Sequence, residues 1–352
     1  MRIVLFCENA YAIDILNPIQ EYVTKQNLSH EVMWYIHKPK ISQFPYRNIV
    51  EWTDSIQEIY DFTPDVIFVP GNIVPYYLPG VKVQVFHGYA AEKKDHWVIR
   101  RYFDTYFTQG PYFTKHFKKL SEKYGDFEVL ETGWTKQDWI KENLHCYDVD
   151  KEQLKKESGK NTIILYAPTF SPKLTSLPHI KNDLERLVKE RDALLLIKLH
   201  PLTRSEWVEE YREWAKGKRD VIFIEKAENI TKYQLMSDVL ISDTSSTIYE
   251  FLLLSRPVIT LGTISKDIYW VNITDSRSLV DAYDKALNDP EALANRKWIV
   301  ENYDPYLDGN VCRRMLDGVE DYIKRHGVPK KRQLNLWRKY TSIKTFGRIK
   351  TK

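Results

Sequence analysis

Apolar runs and amphipathic stretches alternate along most of this chain. Short runs rich in apolar and β-branched residues predict strands, and in the first part they lie at residues 3–7, 31–37, 65–69, 81–86, 105–108 and 127–131. Stretches with helical spacing of apolar positions separate them, at residues 13–25, 54–60 and 111–124. The pattern predicts a strand–helix series.

The same alternation restarts after a polar stretch at residues 151–161. The strands predicted there lie at 162–166, 194–199, 221–224, 239–242 and 257–261, and the helices at 184–191, 206–216, 232–236 and 248–254. Strands that are apolar throughout are typical of parallel sheets covered on both faces. We therefore predict an α/β protein with two Rossmann-like domains facing a cleft, at residues 1–150 and 151–325, followed by a tail at 326–352.

Length and composition agree with this division. A chain of 352 residues suits two domains at roughly 150 residues each, and 43% hydrophobic residues exclude a disordered chain. Three distant cysteines, Cys7, Cys146 and Cys312, fit neither a disulfide framework nor a zinc site and favour a reducing compartment. No apolar run reaches 18 residues, and the first run is interpreted as a strand and not as a signal peptide.

The charge is concentrated at the carboxyl end. Eleven Lys and Arg and no acidic residue lie between residues 324 and 352, which leaves −7 for the rest of a chain whose total is +4. Apolar side chains are interleaved with them: Leu334, Leu336, Trp337, Tyr340, Ile343, Phe346 and Ile349. This combination predicts contact with an anionic membrane surface. Nucleic acid is the disfavoured alternative, and a helix packed on the body is the plain structural one.

Polar groups follow several of the predicted strands, where ligands bind in open α/β sheets. In the second half they are Thr169, the pair Lys198 and His200, and the run Asp243, Thr244, Ser245, Ser246 and Thr247. Hydroxyl groups at the start of a helix either cap its free N–H groups or, with those groups, bind an anion. Lys198 and His200 share one side of the strand if the strand continues, which would place both beside a phosphate.

His87 is the corresponding residue of the first half. It follows the strand at 81–86 and precedes Gly88, which lets backbone or substrate approach closely. A histidine titrates near neutral pH and can accept a proton from a hydroxyl group. Lys93 and Lys94 could receive an anionic acceptor, or they are simply exposed. Neither a Gly-rich dinucleotide fingerprint nor a Walker A loop is present, which disfavours dehydrogenases and P-loop ATPases.

Five motifs in order resemble the CDP-glycerol glycerophosphotransferase family of teichoic-acid-type primases and polymerases. They lie between residues 85 and 260, and they are HG followed by KK (His87, Gly88, Lys93, Lys94), GWTKQD (Gly133 to Asp138), YAPTF (Tyr166 to Phe170), KLHP (Lys198 to Pro201) and DTSS (Asp243 to Ser246). The chain departs from the family pattern at four positions. Phe170 replaces a tryptophan, Thr244 a tyrosine, Lys136 an arginine and Thr135 a proline.

The resemblance implies a GT-B-like fold and an enzyme at the cytoplasmic face of the membrane. It implies transfer of a polyol phosphate from CDP-glycerol, or another cytidine-activated donor, to a hydroxyl of a lipid-linked saccharide or polymer, with release of CMP. His87 would be the base, and His200 with the hydroxyl run and Lys198 would hold the diphosphate. Gly88, Lys93, Lys94, Lys136 and Asp138 would bind the acceptor. No metal or further cofactor is expected, because no cluster of carboxylates demands one.

Two other functions remain open from the sequence. A glycosyltransferase that uses a CMP-sugar, such as sialic acid or Kdo, would also need the HP and SS motifs. A non-catalytic protein that binds surface polymer would keep the phosphate site but need not keep both histidines. The HG and YAPT motifs favour the phosphotransferase.

Overall fold

The computed structural model describes residues 1–89, 91, 94–225, 228–329, 332 and 334–350. The chain forms two compact units, one made of Met1–Glu142 with Tyr303–Lys352, and the other of Asn143–Asn302. This differs from the predicted bounds at both ends of the second domain. Residues 143–150, expected in the first domain, belong to the second unit. Residues 303–325, expected in the second domain, belong to the first unit, where the N–H of Val311 donates to Asp138 and Arg314 Nε donates to the carbonyl of Thr132.

Within the described residues, the first unit contains a seven-stranded sheet in the order β3-β2-β1-β4-β5-β6-β7. Its strands are β1 (Arg2–Cys7), β2 (Glu31–Ile36), β3 (Trp52–Thr53), β4 (Val66–Val69), β5 (Val81–Gln84), β6 (Thr105–Thr108) and β7 (Glu128–Glu131). Each described pairing is parallel. Ile3 of β1 pairs with Val32 on one side and Val66 on the other, and β4, whose four residues are apolar and buried, is the middle strand, followed by β5 and then β6. The carboxyl ends of β4, β5 and β6 are therefore neighbours.

The second unit contains, over its described residues, a six-stranded parallel sheet in the order β10-β9-β8-β11-β12-β13. Its strands are β8 (Thr162–Tyr166), β9 (Ala193–Lys198), β10 (Val221–Ile224), β11 (Val239–Ser242), β12 (Val258–Leu261) and β13 (Val271–Ile273). β8 lies between β9 and β11, so the loops after these three strands meet at one edge of the sheet. These are the loops in which the sequence analysis placed Thr169, His200 and the hydroxyl run.

Helices cover the faces of both sheets, as fully apolar strands require. They are α1 (Tyr11–Lys25), α2 (Ile56–Phe62), α3 (Pro111–Tyr124), α4 (Lys136–Asn143), α5 (Asp148–Ser158), α6 (Leu177–Glu190), α7 (Ser205–Ala215), α8 (Ile230–Met236), α9 (Thr247–Leu253), α10 (Leu279–Asn288), α11 (Pro290–Tyr303), α12 (Val311–His326) and α13 (Leu336–Phe346). In the second unit, Leu184 of α6 and Leu279 of α10 are fully buried in one core with Leu195 and Ile241 of the strands. Over the described residues, every helix is too short or too polar to cross a bilayer.

The tail packs on the first unit with one side and is exposed on the other. Leu334 and Phe346 are buried in the core of that unit, where the Phe346 ring lies 5.3 Å from the ring of Phe6. Arg332 donates from Nε to Asp104 Oδ1 (3.0 Å), and both side chains are less than 10% exposed. Leu336 and Trp337 are 83% and 73% exposed, so these two side chains do not pack on the body as the structural alternative would require. The tail is thus anchored, yet it presents an apolar surface.

Candidate active site

His87 lies in a strained turn just beyond β5. Phe86 before it has φ +57°, a left-handed conformation that is costly for a large side chain, and Gly88 after it has φ +146°. A Cβ on Gly88 would meet no atom within 4 Å, so its backbone conformation and not crowding requires glycine there. A strained backbone of this kind persists only where surrounding contacts hold it in place. His87 is exposed in this turn, at the carboxyl edge of the sheet.

The hydrogen bond of the His87 ring determines which nitrogen carries the proton. Nδ1 lies 3.2 Å from the carbonyl oxygen of Pro70, which also accepts from Gln84 Nε2 (3.2 Å). A carbonyl only accepts, so Nδ1 must donate. In the neutral ring Nε2 then holds the lone pair, which is the arrangement a general base needs.

His200 has the opposite arrangement in the second unit. The backbone N–H of Leu202 donates to its Nδ1 (3.1 Å), so Nδ1 is unprotonated and Nε2 carries the proton of the neutral ring. Its ring is exposed and packs on Phe170, with centroids 4.5 Å apart and planes at 31°. Phe170 thus supports His200 at the position where the family pattern has tryptophan. An N–H donor held in this way can bind a phosphate oxygen.

Asp243 joins the loops that follow β8 and β11. Its carboxylate is fully buried and accepts hydrogen bonds from the backbone of Thr169 (2.7 Å), Ser176 (2.8 Å) and Thr244 (2.6 Å), and from Ser176 Oγ (3.0 Å). Burial raises its pKa, and these donors oppose the rise. Direct contact of Asp243 with phosphate does not fit this placement. The residue instead fixes the loop that carries Thr169 and Phe170.

The hydroxyl run leads into α9 without the capping bond that its sequence suggests. Ser246, immediately before the helix, makes no side-chain capping bond, and the N–H of Thr247 donates to Ser245 Oγ (3.3 Å). Thr244 Oγ1 accepts from the N–H of Ile264 (3.3 Å) and so contacts the loop after β12. Ser246 is the exposed member of the run, while Ser245 is half-buried.

A family model described as CDP-Glycerol:Poly(glycerophosphate) glycerophosphotransferase matches residues 17–269, more than two thirds of the sequence. The chain belongs to this family. The resemblance inferred from the five motifs is thereby confirmed.

Two curated members of this group illustrate how far the similarity reaches. The teichoic acid glycerol-phosphate primase of Bacillus subtilis (strain 168) is 28% identical over 184 residues, which cover 47% of this chain and 45% of the primase. The teichoic acid ribitol-phosphate polymerase TarK of Staphylococcus aureus (strain NCTC 8325 / PS 47) is 26% identical over 199 residues, which cover 51% of this chain and 37% of the polymerase. The chain thus spans less than half the length of these relatives.

Solved structures show the same fold over nearly the whole chain. The wall teichoic acid polymerase TagF superposes with a TM-score of 0.63 at 17% identity, covering 92% of this chain and 89% of the TagF chain. The complex of S. aureus MnaA with UDP gives 0.66 at 15% identity, covering 92% and 97%. The predicted fold class, a GT-B-like pair of Rossmann-like units, is confirmed.

Two residues that the glycerophosphotransferase motifs placed at a ligand have structural roles instead. Asp138 is buried, and its carboxylate accepts from the N–H groups of Val311 (2.9 Å) and Cys312 (2.7 Å), so it caps the start of α12. Lys198 is 4% exposed and donates from Nζ to the carbonyl of Glu225 (3.0 Å). β9 ends at Lys198, so the alternation that would align it with His200 does not continue. The predicted contacts with acceptor and phosphate do not fit these placements.

The other basic residues predicted at the acceptor are spread along the first unit. Lys94 is exposed in a short 3-10 turn, and Lys93 lies outside the described residues. Lys136 is half-buried, with Nζ 5.9 Å from the centre of the Trp134 ring. Sequence reasoning missed Gln109, a fully buried residue after β6 that donates to the Gly88 carbonyl (2.8 Å). Its position at a strand end was the available signal. Among the described residues, no group of three His, Cys, Asp or Glu could hold a metal ion.

Proposed function

We propose that this chain transfers a polyol phosphate, glycerol phosphate foremost, from a CDP-activated donor to a hydroxyl of a lipid-linked saccharide or polymer. CMP is the leaving group, and the reaction belongs to the synthesis of a teichoic-acid-like envelope polymer. The observation that carries the proposal is that the neutral rings of His87 and His200 hold their proton on different nitrogens. His87 carries it on Nδ1 and has a lone pair on Nε2, whereas His200 carries it on Nε2. Family membership supports it, as does the shared fold with TagF, a wall teichoic acid polymerase whose H444N variant was soaked with CDPG.

His87 is the base in the proposed reaction. The acceptor hydroxyl gives its proton to His87 Nε2 as its oxygen bonds to the phosphorus that bears the polyol. The bond between that phosphorus and the oxygen bridging to CMP breaks, and the electron pair remains on the CMP phosphate. Positioning and electrostatics dominate phosphoryl transfer, so a ring held at Nδ1 suits this step.

His200 stabilises the negative charge that develops on CMP. Its Nε2–H would donate to a diphosphate oxygen, and Ser245, Ser246 and Thr169 would supply further hydroxyl donors from neighbouring strand ends. Such donors, fixed before the reaction begins, stabilise charge without reorganisation. The reaction needs no cofactor, since the cytidine-activated donor is a substrate.

We further propose that the enzyme attaches to the cytoplasmic face of the membrane through the exposed side of α13. Leu336, Trp337 and Tyr340 are exposed there on a helix whose other side is packed on the first unit. Lys344 and Arg348 are exposed on the same segment, and each basic residue near an anionic surface contributes about 1 kcal/mol. Attachment would bring the enzyme to a lipid-linked acceptor.

The transfer is tested by incubating the purified protein with membrane extract and one donor at a time. CDP-glycerol, CDP-ribitol, CMP-sialic acid and CMP-Kdo are compared by CMP release, with the His87→Gln variant as control. We expect release from a CDP-polyol that requires His87. Release from a CMP-sugar alone would identify a glycosyltransferase, and no release from any donor would count against catalysis.

Membrane attachment is tested by co-sedimentation with vesicles that contain anionic lipid. Replacing Leu336 and Trp337 by Gln leaves the buried side of α13 intact, whereas truncation of the tail would remove Leu334 and Phe346 and expose the core that they cover. Ile49→Gln is the matched control, because Ile49 is an apolar residue that is 76% exposed elsewhere on the first unit. We expect salt-sensitive binding that only the α13 variant loses. Equal binding of both variants would contradict this surface.

A further inference from the structure

The turn around His87 is held at both flanks by one group of side chains. Trp134 Nε1 donates to the carbonyl of Phe86, the residue before His87 (3.4 Å). Tyr89, two residues after His87, donates its hydroxyl to Asp304 Oδ2 (2.7 Å). The rings of Tyr89 and Trp134 also contact each other edge to face, with centroids 5.1 Å apart. The strained conformation of Phe86 therefore has support from a defined cluster.

Asp304 is the centre of that cluster. Its Oδ2 accepts from both the Tyr89 hydroxyl and the Trp134 backbone N–H (2.9 Å), while its Oδ1 accepts from the N–H of Tyr306 (3.2 Å). The Tyr89 hydroxyl in turn accepts from Gln137 Nε2 (3.1 Å). Asp304 is 2% exposed and Tyr89 is 1% exposed, so neither side chain can contact a substrate.

The bonds of Asp304 to Tyr89 and Trp134 join parts of the first unit that are distant in sequence. Tyr89 follows β5, Trp134 follows β7, and Asp304 lies on the segment that returns after residue 302. Burial of a carboxylate costs little free energy only while all of its hydrogen-bond donors stay in place. The cluster therefore admits one geometry of the turn and resists others.

We propose that Asp304 is a positioning residue for the His87 ring, acting through Tyr89 and Trp134. It fixes the backbone at residues 86 and 89, which keeps His87 Nδ1 on the Pro70 carbonyl and Nε2 in the direction of the acceptor hydroxyl. The inference rests on the proposed function, in which His87 is the base. A misplacement of about 1 Å can cost about 100-fold in rate, so such a clamp has a measurable kinetic effect.

Three variants separate positioning from plain support of the fold. Tyr89→Phe removes one hydrogen bond to Asp304 and keeps the ring in the core. Asp304→Asn keeps the shape but offers one oxygen where the carboxylate uses two. Tyr306→Phe is the matched control: it removes a tyrosine hydroxyl from the same returning segment, where that hydroxyl bonds to Glu131 (2.6 Å) and not to the turn.

Steady-state kinetics on the full-length protein give the first readout. We expect Tyr89→Phe to lower kcat about 10-fold, with an unchanged KM for the donor and unchanged CDP affinity, and Asp304→Asn to lower kcat further. The double variant should lose no more than Asp304→Asn alone, because the two changes remove one shared bond. Tyr306→Phe should keep the wild-type kcat even where it lowers the melting temperature.

The state of the His87 ring gives a second readout that needs no donor. In protein with 15N-labelled histidine, the His87 signals are assigned by their absence in His87→Gln, and we expect a protonated Nδ1. Tyr89→Phe should shift them toward a mixture of tautomers. Unchanged ring signals in Tyr89→Phe would overturn the inference, as would equal kinetic losses in Tyr89→Phe and Tyr306→Phe. Failure of the proposed function would instead appear as no turnover by the unmodified protein.

Discussion

The two histidines occupy corresponding positions in the two units, yet their backbone partners make them chemically different. Each is exposed just beyond a strand of a parallel sheet, and each uses Nδ1 to contact the main chain. At His87 the partner is a carbonyl, so Nδ1 donates. At His200 the partner is an N–H group, so Nδ1 accepts. In the neutral rings Nε2 is therefore an acceptor at His87 and a donor at His200, as the proposed reaction requires.

This difference shows that the residues beside a histidine decide its role as much as the histidine does. The Pro70 carbonyl lies just past the end of β4, and the Leu202 N–H lies in the turn after Pro201. Only the backbone of Pro70 and Leu202 makes these two contacts, and their side chains do not. The assignment of base and donor therefore depends on loop backbone, which predicts distinct responses to matched substitutions.

The largest expected effect comes from removing the base. His87→Gln should lower turnover by about 10²–10⁴-fold while CDP affinity is unchanged, because a glutamine amide cannot accept the proton. Turnover is measured as CMP release, and affinity by calorimetry. His116→Gln is the control, since His116 is an exposed histidine of the same unit whose Nδ1 also lies near a carbonyl, that of Tyr112 (2.9 Å). Near-normal turnover of His87→Gln would remove His87 from the mechanism.

A smaller effect should distinguish two replacements at His200. Asn places its amide near Nδ1 and Gln near Nε2, so only Gln can keep a donor where the phosphate is expected. We expect His200→Asn to weaken CDP binding about 10- to 100-fold, the value of a charge-assisted hydrogen bond, and His200→Gln to weaken it less. Calorimetry measures both. Equal losses would mean that Nε2 is not the contact atom.

The ring of Phe170 should matter less than either histidine. Phe170→Leu removes the aromatic contact with His200, which is worth about 0.5–1.5 kcal/mol, and should weaken CDP binding about two- to tenfold. Phe170→Trp restores an aromatic ring and should bind CDP like the unmodified protein. If Leu and Trp behave alike, Phe170 does not support His200.

The last effect concerns stability and not binding: it is the pH response of the buried carboxylate near His87. Burial raises the pKa of Asp304 from 3.8 to about 7, although Tyr89 and two backbone donors oppose the rise. Between these two values the folded state holds a proton that the unfolded chain has released. This group therefore makes the free energy of unfolding fall as pH rises, at a rate on the order of 1 kcal/mol per pH unit.

Urea denaturation at pH 5, 6 and 7 compares the unmodified protein with Asp304→Asn. The difference between their free energies of unfolding should shrink as pH rises, because the Asp304 carboxylate is the one titrating group that the two proteins do not share. A difference that is constant or grows with pH would contradict the raised pKa.

The strands of both sheets were predictable because their burial leaves a direct signal in the sequence. The runs at 105–108, 162–166, 221–224 and 239–242 match β6, β8, β10 and β11 residue for residue. Helix α5 was not predicted, and the structure explains this: it has no buried residue, so no apolar spacing marks it. Two short strands were also not predicted: β3 has two residues and β13 has three, too few to leave a pattern.

The candidate site was predictable in its locations but not in all of its roles. Strand ends and motifs indicated His87, His200 and Ser246. They could not distinguish a carboxylate that faces a ligand from one that caps a helix, because Asp138 finds its partners at Val311 and Cys312, more than 170 residues further on. Asp304 is 215 residues from Tyr89, and nothing local marks it as part of the His87 turn.

The path of the chain through the two units sets an order of events during synthesis. The second unit occupies one continuous stretch, Asn143–Asn302, whereas the first is completed only by Tyr303–Lys352. The core of the first unit includes Leu334 and Phe346. Its buried carboxylates Asp138 and Asp104 accept hydrogen bonds from Val311 and Arg332, which are also synthesised late. At about 5–20 residues per second, a ribosome needs roughly 10 s or more to deliver these segments. Until then the amino-terminal strands lack part of their core, so the second unit can complete its own core before the first does.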